Sequence, residues 1–159
     1  MPTLARERPD RMYRRGRAED PDFSPNELLY RRYVQQHWID GCFAPEGFRF
    51  SENSGQSVNR QKYSEPDDVL FLDDGRYDND LGVLEFAVRD IPVRLPEDGS
   101  PAFVFFPKHV PEERNFAHSE VWCDKEQRTG RYVEPNKVVK KLLRTKISQR
   151  VFIRIPARK

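Results

Sequence analysis

Residues 106–123 carry two of the chain's three histidines, His109 and His118, together with Asn115, Ser119 and Glu120. Read as a strand, residues 117–123 send His118, Glu120 and Trp122 to one face and Ala117, Ser119, Val121 and Cys123 to the other. Histidine exchanges its proton near neutrality, and a carboxylate two residues away on the same face can orient it. His118 and Glu120 therefore form a candidate pair for general acid/base work. The same two residues would also satisfy a plainer arrangement, with His118 bonded to backbone and Glu120 solvated.

Arginine suits two-pronged contacts with phosphate or carboxylate, and Arg31, Arg49 and Arg60 sit in segments that otherwise look ordered. With His109 and Asn115 they make up the expected ligand-binding set. Pairing of these arginines with acids of residues 64–100 is the competing expectation. Ser57 and Ser119 lack the Gly-x-Ser-x-Gly setting of a nucleophile elbow, and no glycine-rich phosphate loop occurs. Metal sites are not indicated. Cys42 and Cys123 lack paired spacing, and the acidic loop 73–80 departs from a calcium loop because its glycine comes early and its closing Glu is missing.

The elements that must position these residues follow from pattern. The 159 residues suffice for one core, and eleven Phe, six Tyr and two Trp supply the surface to bury. Residues 1–22 hold six arginines and five acids without apolar periodicity, and so predict a disordered basic arm. Residues 23–159 are expected to form a single α+β domain with a mostly antiparallel sheet and two or three short helices. Ser24-Pro25-Asn26-Glu27 has the form of a capping box, although residues 29–34 fit a strand equally well. Residues 64–68 offer a second helix start. Residues 81–93 and 102–106 read as strands, as does the alternating stretch 150–155. Asn136 predicts a cap for a helix with Val138, Val139, Leu142, Leu143 and Ile147 on one face. Lys137, Lys140, Lys141 and Arg144 lie on the other face and are candidate nucleic-acid contacts.

Charge is segregated beneath a net +2: residues 64–100 hold eleven acids against three arginines, and residues 136–159 hold nine cations and no acid. No apolar run approaches the roughly 20 residues that span a bilayer. Two cysteines and no apolar leader make a cytoplasmic location the default expectation.

Taken together, Leu29-Tyr30-Arg31-Arg32, Ser57-Val58-Asn59-Arg60, Pro66-Asp67-Asp68-Val69-Leu70 and Asn115-Phe116-Ala117-His118-Ser119-Glu120 resemble a family of short uncharacterised bacterial proteins across most of residues 27–145. The chain is also similar, more distantly, to the ADP-ribosyltransferase superfamily, including its RES-type toxins. There an Arg, a Ser and a Glu from successive strands surround a nicotinamide dinucleotide. That resemblance implies Arg31, Ser57 and Glu120 as the corresponding residues, and adds Ser57 to the catalytic candidates. The Ser-Thr-Ser and Glu-x-Glu forms of that superfamily are absent here.

Three functions are compatible with this reading. One is an enzyme acting on a phosphate-bearing ligand, a nucleotide cofactor or RNA, such as an ADP-ribosyltransferase-like or RNA-processing transferase. The second is a nucleic-acid-binding protein using the basic helix and arm. The third is a non-catalytic subunit that docks onto a protein partner.

Overall fold

A computed structural model describes residues 5–48, 55–96 and 101–159. Arg49, one of the expected ligand-binding residues, lies outside the described residues. Strands β1 (Leu28–Tyr33), β4 (Gln56–Arg60), β5 (Gly82–Ala87), β6 (Arg94–Leu95), β7 (Phe103–His109), β8 (His118–Lys125) and β9 (Phe152–Ile155) form one sheet. Their order is β6-β7-β8-β4-β1-β5-β9, with every pair antiparallel. A small hairpin, β2 (Trp38–Ile39) and β3 (Cys42–Phe43), stands apart, and helix α1 (Lys137–Ser148) covers one face of the sheet. The α+β single domain is thus as the sequence indicates.

Residues 28–33 become a strand because both of their faces find apolar partners. Leu29 and Tyr33 enter the large core with Phe48, Phe86 and Val121, while Tyr30 enters a smaller cluster with Val69, Leu70 and Val83 on the opposite face. A helix would have gathered these side chains on one stripe. Ser24 caps only a turn, in which Glu27 N–H donates to its carbonyl. The second helix start shortens to a 3-10 segment, Pro66–Leu70, held where Asp68 Oδ2 accepts from Glu65 N–H at 3.0 Å and Asp68 N–H donates to the Glu65 carbonyl.

Helix α1 begins where Asn136 Oδ1 accepts from Val139 N–H at 3.0 Å. Its buried stripe is narrower than expected: Val139, Leu143 and Ile147 are enclosed, whereas Val138 is 70% exposed. Each fully buried aliphatic side chain contributes on the order of 1.5–3 kcal/mol. Pro107 is tolerated inside β7 because β6 pairs only with Phe103 and Val104, leaving the proline's donor-less side unpaired there.

The arm is a correction. Residues 5–22 lie against the domain and do not hang free. Arg11 grips Asp68 with two hydrogen bonds of 2.9 and 2.7 Å, and Asp68 is only 1% exposed. Met12 is buried, its carbonyl accepting from Phe116 N–H, and Arg14 N–H donates to the Glu113 carbonyl. Arg6 and Arg17 rest on the rings of Tyr77 and Phe116. Composition suggested solvation because the arm's partners are distant in sequence; Arg11 and Asp68 are 57 residues apart.

Candidate functional site

Strand β8 presents His118 and Glu120 on one face, as its alternation requires, and β4 sets Asn59 beside His118 and Ser57 beside Glu120. Tyr30 of β1 extends the row past Asn59. Beyond that point the ladder opens. Strands β1 and β4 share only the pairs Leu29/Arg60 and Tyr30/Asn59, so the Ser57 carbonyl has no main-chain partner on β1. Arg31 supplies one, donating from Nη1 at 2.7 Å.

A cleft of about 680 Å³ lies over this opening, lined by Tyr30, Arg31, Ser57, Asn59, Asn115 and His118, among others. Arg8, Arg32 and Arg114 add positive charge to its walls; Asp73, Glu112 and Glu113 are exposed acids on the same lining. Arg8 and Arg32 donate to the carbonyls of Leu72 and Val69. Among the described residues, no carboxylate lies within ion-pair distance of Arg8, Arg31 or Arg32. The Arg31 guanidinium lies over the Phe48 ring, and its Nε is buried without a partner. Burial lowers its pKa to about 10, and the charge of Arg32 adds to the effect.

The imidazole of His118 is held at both nitrogens. Nδ1 lies 2.8 Å from the Val110 carbonyl, and Nε2 lies 3.2 Å from Ser57 Oγ. A carbonyl can only accept, so Nδ1 carries the proton and Nε2 offers its lone pair to the exposed hydroxyl of Ser57. This is the geometry of a general base against a nucleophile. The group that orients the ring is Val110, not Glu120 as the sequence suggested.

Glu120 is nearly buried beneath this pair, and burial raises its pKa; His118, a Gly55 N–H bond and Lys108 oppose that rise. Gly55 must be glycine for this packing, since a Cβ there would lie 2.2 Å from the Val121 carbonyl oxygen. A raised folded-state pKa means that the unfolded chain ionises first as pH climbs. Stability contributed by protonated Glu120 is therefore full below the ordinary value of 4.5 and declines as pH rises through the higher folded value. Glu120→Gln is expected to flatten that decline, so that its urea midpoint gains on the wild type as pH rises above the ordinary value of 4.5. Parallel pH profiles for the two proteins would remove Glu120 as the cause.

Other expected site residues lie elsewhere. Arg60 is completely buried, bonded to Glu27 and to the carbonyls of Asp20 and Asp22, and does not line the cleft. Its competing expectation, pairing with acids, is met by Asp20 and Glu27 and not by residues 64–100. His109 is an aromatic-core residue, stacked on Tyr63 and kept neutral by burial. Its Nδ1 accepts from Asp20 N–H, while Nε2 faces the Phe116 carbonyl. Arg31 leaves β1 on the side opposite Tyr30, toward Phe48, so the Arg31, Ser57 and Glu120 set reaches the opening from two faces of the sheet. Asn115 does line the cleft, where its Nδ2 donates to Asn59 Oδ1 at 2.7 Å.

On α1, Lys137 and Lys141 are exposed, Lys140 pairs with Glu134, and Arg144 is half-buried; none belongs to the cleft. Sequence reasoning passed over Asn59, Arg8 and Arg32. Asn59 had a signal, since it sits two residues after Ser57 and so shares its strand face.

Cys123 is buried, and burial pushes its thiol up to about 12, which removes it as a nucleophile. Among the described residues, no three His, Cys, Asp or Glu side chains converge as metal ligands, and no helix is long and apolar enough to cross a membrane. No family model matches the chain, and neither a curated protein nor a solved structure matches it.

Proposed function

We propose that the protein is an enzyme acting on a phosphate-bearing ligand held in the cleft between β1 and β4. Ser57 is its nucleophile, with His118 Nε2 as the general base. Arg31 is the observation that carries the anionic part of this reading. A guanidinium sunk in the opening, with a buried Nε and no carboxylate near it among the described residues, is a cation that an incoming anion would neutralise. Arg8 and Arg32, which spend hydrogen bonds on neutral carbonyls, keep their charge available to the same ligand. Glu120, beside Ser57 and close to His118, favours the imidazolium that forms when the hydroxyl proton is taken.

Arg31→Met provides the test, because methionine fills an apolar slot against Phe48 and removes an uncompensated charge, so the fold is expected to hold. Titration with ribose 5-phosphate should show binding to the wild type and a loss of about tenfold or more in the variant. Equal affinity in the two proteins would overturn the reading.

A further inference from the structure

Beside the imidazole, two amides are joined by only half of their hydrogen-bonding groups. Asn59 is 2% exposed, and its Oδ1 accepts from Asn115 Nδ2 at 2.7 Å. The other halves, Asn59 Nδ2 and Asn115 Oδ1, are both buried atoms without a partner among the described residues, and both residues line the cleft. One donor and one acceptor are thus left over on linked side chains. Exchanging oxygen and nitrogen in both amides leaves the same inventory, so the conclusion does not depend on which way either was oriented. Buried polar groups of this kind are normally satisfied, and in a cleft a ligand can supply the partner.

We infer that the Asn59–Asn115 pair reads the edge of a nucleobase, which makes the phosphate-bearing ligand a nucleotide. This rests on the proposed phosphate site and assigns its substrate class. Every nucleobase presents a donor and an acceptor on neighbouring ring positions, and asparagine matches such an edge. Tyr30 and Phe71 line the same cleft, and the Arg8 guanidinium, which lies over the Phe71 ring, offers a planar cation on which a base can stack. Inorganic anions would engage the arginines and leave the amide donor bonded to an anion at most, with the amide acceptor bare. The volume of about 680 Å³ falls within the range of roughly 300–1,000 Å³ found for small-molecule sites.

The test uses the full chain and three sets of probes: the four nucleoside 5′-monophosphates, ribose 5-phosphate, and the four nucleosides. At least one monophosphate is expected to bind about tenfold or more tightly than ribose 5-phosphate. Asn115→Ala changes a half-buried loop side chain whose main-chain bonds to Glu112 remain. It is expected to bring that preference to within about threefold while leaving ribose 5-phosphate affinity unchanged, which also reports that the variant is folded. Equal binding of ribose 5-phosphate and all four monophosphates to the wild type overturns the inference, as does a preference that survives Asn115→Ala. If nucleosides bind in an Asn115-dependent way and ribose 5-phosphate does not bind, base recognition stands and the phosphate reading falls.

Discussion

Arg60→Met is expected to remove about 3–5 kcal/mol of folding stability, measured as a fall in the urea midpoint at constant slope. Arg60 is fully buried, yet all three of its nitrogens donate: Nε and Nη2 to Glu27 at 2.9 and 2.8 Å, and Nη1 and Nη2 to the carbonyls of Asp20 and Asp22 at 2.8 and 2.6 Å. Phe23 and Tyr63 cover the guanidinium from above. Methionine would replace much of the packing but leave the Glu27 carboxylate, whose side chain is 8% exposed, without its counter-charge. The uncompensated carboxylate, more than the lost contacts, sets the size of the effect. Arg60→Met combined with Glu27→Gln should therefore recover part of the loss, since the second change removes the stranded charge. A single-variant loss below about 1 kcal/mol, typical of a surface pair, would show that the network does not anchor residues 20–27. Because a domain of this kind is held by only about 5–15 kcal/mol, the single variant should also accumulate less folded protein.

The contrast between Arg60 and Arg31 shows where the sequence was readable and where it was not. Both are arginines in strands, and nothing local shows which will be paired with an acid. One meets Glu27, 33 residues away just before the neighbouring strand, and the other meets the Ser57 carbonyl across a ladder that fails to close. Those outcomes depend on strand order and register, which no window of the sequence contains. Elements with a complete local signal were legible: α1 has its Asn136 cap and a stripe at helical spacing, and β8 alternates cleanly enough to set His118 and Glu120 on one face. Their partners were not. Ser57 is 61 residues from His118 and meets it through β4–β8 register alone, and Val110, which fixes the tautomer, contributes only a main-chain carbonyl. A carbonyl leaves no trace in residue type. The arm was misread for the same reason, since its cations resemble a solvated tail until Asp68 and the aromatic rings of Tyr77 and Phe116 are brought against them.

The largest expected effect on chemistry is at His118. A fluorophosphonate probe should label Ser57: the Oγ–P bond forms as the P–F bond breaks, fluoride leaves, and the hydroxyl proton passes to His118 Nε2 and on to solvent. His118→Ala is expected to slow this labelling by about 10²–10⁴-fold, the range over which a positioned general base contributes. Ser57→Ala should abolish it. His118 is half-buried and its bonds run to one carbonyl and one hydroxyl, so its loss should cost the fold little. Urea midpoints of variant and wild type separate a chemical defect from a structural one. A second variant, Val110→Ala, keeps the main-chain carbonyl that holds Nδ1 and should label at close to the wild-type rate, because the ring is oriented by backbone and not by the valine side chain. Labelling that is fast in His118→Ala, or that lands on a residue other than Ser57, would show that the hydroxyl is not activated by this imidazole. In that case the cleft binds anions without the base that turns binding into catalysis.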